Sequence, residues 1–215
     1  MSELSLNMMM SLDGFVAGPE QSEENPFGIG GMRLNEWLFP LKAFREMQGE
    51  QGGEVNASTP IVEAWMVNIG ATVMGRNMFG GGSGPWAENP WNGFWGEDPP
   101  YHHPVFVITH HARKPLEMQG GTTFHFVTDG IESALEQAKK AAQGKDVSLG
   151  GGAATVQQYL AAGLLDEILI SIVPVLLGRG ARLFDHLGSN PPRLEQTQAV
   201  EAPGVTHIRY RAGAK

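Results

Sequence analysis

The chain contains no cysteine, which excludes disulfides, thiol nucleophiles and thiolate metal sites. No apolar run approaches the roughly 18 residues of a membrane-spanning helix. The opening Met1-Ser2-Glu3-Leu4 lacks the basic segment and apolar core of an export signal, so a soluble cytoplasmic protein is expected. Basic residues are the minority, 15 against 23 acidic, for a formal charge of −8. That balance argues against nucleic acid as a partner, because a phosphate backbone needs a basic footprint. It leaves room for a local basic pocket. Neither His102-His103 nor His110-His111 has the i, i+4 spacing or carboxylate partner of a known metal site, so no metal is expected. With 41% hydrophobic residues in 215, the chain can bury a core, and its length suits one domain over residues 1–215.

Against this background three short segments stand out. They are Val73–Phe79, Val105–Arg113 and Val147–Val156. Each opens on an apolar, β-branched run that reads as a strand. Each closes on glycine, hydroxyl, histidine or arginine. Ligands of open α/β sheets sit where strands end and helices begin. Three such ends, two of them basic, suggest a phosphorylated dinucleotide.

The remaining chain supports an α/β class. Leu4 to Met10 reads as an opening strand, turned by Ser11-Leu12-Asp13-Gly14, and Phe15-Val16-Ala17 can extend it. Residues 18–56 shift to Gly, Glu, Gln and Asn and read as an insertion with one short helix, ending in a mobile loop from Gly49. Thr59-Pro60 reads as a cap and first turn of a helix placing Ile61, Ala64, Trp65 and Asn68 on one face. Residues 80–104 form a Gly- and Trp-rich loop. Asp129-Gly130-Ile131-Glu132 resembles a capping box before an amphipathic helix. Ala153 to Ala162 reads as a further helix. Glu167 to Leu177 is an apolar strand broken at Pro174, and Leu194 to Val200 with Val205 to Arg211 reads as a closing antiparallel hairpin.

Each nucleotide segment has a plainer reading beside the functional one. Gly75-Arg76 joins a close-approach glycine to a planar cation suited to phosphate; otherwise it is a turn glycine beside a surface arginine. Thr109-His110-His111-Ala112-Arg113 offers the groups that would hold a 2′-phosphate, hence NADP rather than NAD; otherwise it is a polar loop. Gly150-Gly151-Gly152-Ala153-Ala154-Thr155 is costly for order unless backbone must touch a ligand. It matches neither the Rossmann fingerprint nor a Walker A loop. Trp37, Phe39, Trp86, Trp91, Trp95 and Tyr101 either wall a flat substrate pocket or pack a loop or interface, with packing favoured.

Taken in order, Met10–Ala17, Met74-Gly75-Arg76, Gly151-Gly152-Ala153, Gly163–Glu167 and Pro174–Gly178 resemble the dihydrofolate reductase superfamily. The branch in view contains the reductase domain of bacterial riboflavin biosynthesis. The resemblance implies a three-layer fold around a mostly parallel mixed sheet with a C-terminal hairpin. It also implies bound NADPH and a homodimer. The implied reaction is hydride transfer to a small heterocyclic or ribosylamino-pyrimidine-like substrate, as in the reduction of 5-amino-6-ribosylaminouracil phosphate. Arg76 with Thr109, His110, His111 and Arg113 would hold the 2′-phosphate, and Asn77 the pyrophosphate. Gly151, Gly152, Ala153, Ala154 and Thr155 would hold the nicotinamide-side phosphate. Asp13 would lie at the transfer site as the catalytic residue, with Phe15, Trp37, Thr59 and Glu63 towards the substrate. Two departures point to an altered substrate. Folate reductases carry a carboxylate where this chain has Thr59, with Glu63 one turn on as a substitute. The riboflavin-type domains commonly carry a glutamate where this chain has Gly150. Folate reduction is therefore disfavoured. The reading from another class is a non-catalytic NADP-binding protein or redox sensor.

Overall fold

The computed structural model describes residues 2–88, 90–189 and 191–213. In chain order it contains β1 (Leu4–Ser11), β2 (Phe15–Ala17), α1 (Lys42–Met47), α2 (Thr59–Glu63), β3 (Ile69–Gly75), α3 (Arg76–Phe79), β4 (Pro104–Ile108) and β5 (Leu116–Glu117). There follow β6 (Thr123–Val127), α4 (Ile131–Ala141), β7 (Asp146–Gly151), α5 (Ala153–Ala162), β8 (Glu167–Val173), β9 (Ala181–Arg182), β10 (Leu194–Ala202) and β11 (Val205–Ala212). This is the α/β arrangement expected, with a mixed, mainly parallel sheet and a closing antiparallel hairpin. The chain groups into two compact units.

The first unit comprises Met1–Leu6 and Asn68–Leu165. Its strands run in the order β1-β7-β3-β4-β6-β5. All neighbours are parallel except β5, which pairs antiparallel with β6. Strands buried on both faces read as near-continuous apolar runs. Accordingly Val73, Met74, Val105, Val107, Phe124, Val147 and Leu149 are all buried. Helix α4 buries Ala134, Leu135 and Ala138, the spacing of one helical face. Helix α5 buries Val156, Tyr159 and Leu160, and the Tyr159 hydroxyl donates to the Ile131 carbonyl at 2.7 Å. Burial drives the Tyr159 pKa above its ordinary value.

The second unit comprises Asn7–Val67 and Asp166–Lys215. Its sheet order is β10-β11-β8-β1, with β10, β11 and β8 antiparallel in sequence. Pro174 lacks an N–H and restricts its predecessor, and β8 ends at Val173. Leu34, Trp37, Leu38, Leu41 and Ala43 join Val62, Val173, Val175 and Val205 in the core. The stretch at 18–56 therefore supplies five of these nine core residues. It holds a 3-10 turn at Gly31–Asn35 as well as α1, where one helix was expected.

Other local expectations are corrected. Phe15–Ala17 does not prolong β1; it pairs antiparallel with β9. Thr59 is the first residue of α2 and Ser58 its cap, while Asn68 lies beyond the helix at φ 62. The capping box is absent. Gly130 at φ 95 is the α4 cap, and the Asp129 carboxylate accepts from the Thr128 hydroxyl instead.

Candidate active site

In the first unit the three sequence segments lie at the carboxyl ends of adjacent parallel strands. Register pairs Met74 of β3 with Gly151 of β7, and Gly75 of β3 with Ile108 of β4. The ends of β7, β3 and β4 therefore present Gly151-Gly152, Gly75-Arg76 and Thr109-His110 in a row. The Gly151–Gly152 peptide is cis. A Cβ on Gly75 would stand 2.1 Å from Thr155 Oγ1, so only glycine lets α5 seat this close to β3. Gly152 has open space where a side chain would project, and it starts α5 with no side-chain cap.

Arg76 is buried, not a surface fork. Its Nε donates to the Gly80 carbonyl at 3.0 Å and Nη2 to the Gly81 carbonyl at 2.7 Å, folding the glycine run back on itself. Nη1 donates to Thr109 Oγ1 at 3.2 Å, tying the ends of β3 and β4. Thr109 Oγ1 also accepts the His111 N–H at 3.2 Å. Arg113 donates to the Trp91 carbonyl and to Asn92 Oδ1. Burial lowers the pKa of both arginines. Among the described residues neither forms an ion pair with a carboxylate. Asn77, His110 and Ala154 are exposed, His111 and Ala153 half-buried. The loop at 80–104 is packed by its rings. Phe79 and Phe124 sit in its core, with Trp86, Trp91, Trp95 and Tyr101 against them. No group of three histidine, aspartate or glutamate side chains suited to a metal occurs among the described residues.

In the second unit Asp13 is a clamp. Its Oδ1 accepts the Ser11 hydroxyl at 2.6 Å and the Leu177 N–H at 3.1 Å. Its Oδ2 accepts the Gly178 N–H at 2.7 Å. The Ser11 bond foremost, with the backbone donors, holds the carboxyl at about 2. The Ser11 oxygen in turn accepts the Phe15 N–H at 2.9 Å. Phe15 is buried beneath Arg182, whose Cζ is 5.0 Å from the ring centre. On α2, Thr59 is buried and its Oγ1 accepts the Asn56 N–H, while Glu63 is exposed. Trp37 is a core residue, edge-on to Trp65 and His207, with Nε1 donating to the Leu34 carbonyl.

Sequence reading overlooked a buried polar trio. His207 on β11 bonds Ser171 Oγ of β8 at 2.8 Å and Ser58 Oγ, the α2 cap, at 2.9 Å. Burial lowers the His207 pKa to about 4. No sequence spacing joins these three residues. Ser11 was more accessible, because a hydroxyl two residues before an aspartate in a turn is a local hydrogen-bonding pattern.

The profile of the RibD C-terminal domain matches residues 3–208. This chain belongs to the RibD C-terminal domain family. A bifunctional deaminase and 5-amino-6-(5-phosphoribosylamino)uracil reductase from Thermotoga maritima superposes with a TM-score of 0.58 at 14% identity, over 99% of this chain and 57% of that one. Dihydrofolate reductase from Enterococcus faecalis, solved with NADP(H), superposes with a TM-score of 0.52 at 14% identity, over 98% of this chain and 96% of that one. At these identities the likeness is one of fold. In sequence, the uncharacterized protein YyaP of Bacillus subtilis is 42% identical over 59 residues, which is 27% of this chain and 31% of that protein's length. The aligned segment thus spans about a third of that relative's length.

Proposed function

We propose that this protein is an NADPH-dependent reductase that delivers hydride to a small heterocyclic substrate of the ribosylamino-pyrimidine kind. The observation that carries the proposal is the row of strand ends at β7, β3 and β4. Such a row is where α/β sheets hold nucleotides. The residues fit the group. The open space at Gly152 admits a phosphate, and the uncapped first turn of α5 offers backbone N–H donors to it. Arg76 and Arg113 add positive charge with no carboxylate counterpart among the described residues. In this reading Arg76, Thr109, His110, His111 and Arg113 recognise the 2′-phosphate, and Asn77 the pyrophosphate. Gly151, Gly152, Ala153, Ala154 and Thr155 take the nicotinamide-side phosphate. When bound, NADPH supplies the hydride.

Phe15, Thr59 and Glu63 are the substrate-side residues of the proposal, and Trp37, a core residue, is left out of it. Asp13 is ionised at neutral pH and already accepts three hydrogen bonds. It acts by fixing the 11–15 turn on the Leu177-Gly178 backbone, and a water delivers the proton. That same clamp favours the second reading, a non-catalytic NADP-binding protein, because it removes Asp13 as an acid. Titration with NADPH and NADH, followed by nicotinamide fluorescence and thermal stability, tests the cofactor site. NADPH oxidation across a heterocycle panel then separates the two readings. Binding without turnover supports the non-catalytic one, and binding of neither dinucleotide overturns both. We further propose a homodimer, checked by light scattering.

A further inference from the structure

Two guanidiniums converge on one indole. Arg76 Cζ lies 3.1 Å from the centre of the Trp86 ring and Arg113 Cζ lies 4.8 Å from it. Like charges this near repel, and burial removes water that would screen them. The shift at Arg76 reflects both effects, desolvation first and the Arg113 charge second. Among the described residues no carboxylate pairs with either, and the opposing attraction comes from the carbonyls they donate to and from aromatic faces: Trp86 for both, and Phe126 at 4.9 Å for Arg113. Trp86 is itself fixed. Its Nε1 donates to the His111 carbonyl at 2.9 Å, and its ring stands edge-on to Phe79 and Phe126. Arg76 spends three of its five donors on Gly80, Gly81 and Thr109, which leaves two N–H groups for a ligand.

We propose that Trp86 is a positioning residue for phosphate recognition. Its indole holds Arg76 and Arg113 together so that a nucleotide bearing a 2′-phosphate meets two oriented cations. The inference rests on reading the strand ends as an NADPH site. It makes the 80–104 loop part of that site, through the side chain that anchors the loop to the His111 backbone.

Calorimetric titration of wild type, Trp86→Phe and Trp86→Leu with NADPH, NADH and 2′,5′-ADP tests it. Wild type binds NADPH more tightly than NADH. Trp86→Leu weakens NADPH and 2′,5′-ADP by about tenfold and NADH by less than about twofold, the scale of one lost cation–π contact. Trp86→Phe retains a ring face and most of the NADPH preference. A lower melting temperature with an unchanged NADPH-to-NADH ratio in Trp86→Leu overturns the proposal, since that is what a loop staple alone would give. Tighter NADPH binding in that variant also overturns it, because the indole would then be blocking the site. Wild type without NADPH preference marks failure of the cofactor reading itself, whatever the variants do.

Discussion

Asp13 and His207 show how single groups are set by what surrounds them. Asp13 has its pKa lowered from the usual carboxylate value of 3.8 to about 2, so the folded state favours the ionised form. Its contribution to stability is complete above about pH 4 and is lost as pH falls towards 2. Asp13→Asn should therefore melt lower than wild type at neutral pH, with the gap closing in acid, as thermal scans across that range would show. In the reductase reading the same variant loosens the 11–15 turn. Turnover should fall by roughly ten- to a hundredfold, the scale of a small misplacement, while NADPH affinity holds. His207 is also lowered, from 6.5 to about 4, by burial. Neutral imidazole is what its two serine partners accommodate, so stability is full above about pH 6.5 and declines as pH drops through 4. His207→Gln should flatten the denaturation-midpoint profile over that interval. His103, likewise lowered to about 4 by burial, leaves a residual slope. The Asp13 turn was legible in sequence because Asp-Gly is a local signal. What holds Asp13 ionised was not legible there, because the Leu177 and Gly178 donors lie more than 160 positions away.

At the scale of elements, the strands were readable because burial on both faces writes an uninterrupted apolar run. Val105–Thr109 and Val147–Leu149 needed little else. Helix α5 was located at its bounds because the glycines before it and Gly163 after it punctuate the chain. The two-residue strands β5 and β9 carry no period to read, and the α4 cap looked like a capping box only because aspartate and glutamate happened to be three apart. The seating of α5 on β3 was equally hidden, since Gly75 reads as a phosphate-approach or turn glycine until Thr155 is found above it. Gly75→Ala should cost about 1–3 kcal/mol by overpacking, measured by chemical denaturation. Adding Thr155→Ala, which deletes the nearest clashing atom, should recover part of that loss. Additive losses would mean that the two positions do not share a contact.

Across the whole molecule, charge is concentrated against the average. A chain of formal charge −8 gathers, at one set of strand ends, two arginines that have no carboxylate partner among the described residues. Composition left room for a local basic pocket, and Arg76 and Arg113 both lie in segments read from sequence as nucleotide-binding. Trp86 was legible only as one of a set of loop aromatics, because it sits in an irregular loop with no period, and only the fold brings it to Arg76. Strand β10 bears on the same scale. It is exposed along nearly all its length at the margin of the second unit's sheet. Substituting Gln198 with lysine on that margin should leave the fold intact and reduce the proposed dimer, read by light scattering at dilute and high concentration.

The interleaving of the two units has a consequence for birth rather than for function. During synthesis every strand of the first unit has been made once Leu165 is added. The second unit must still wait for β8, β10 and β11. Through that interval Leu34, Trp37, Leu38 and Leu41 have been made but lack Val173, Val175 and Val205 to pack against. A ribosome stalled just past residue 165 should therefore display a greasy nascent segment that trigger-type chaperones grip, and release from the ribosome after the last strand should shed them.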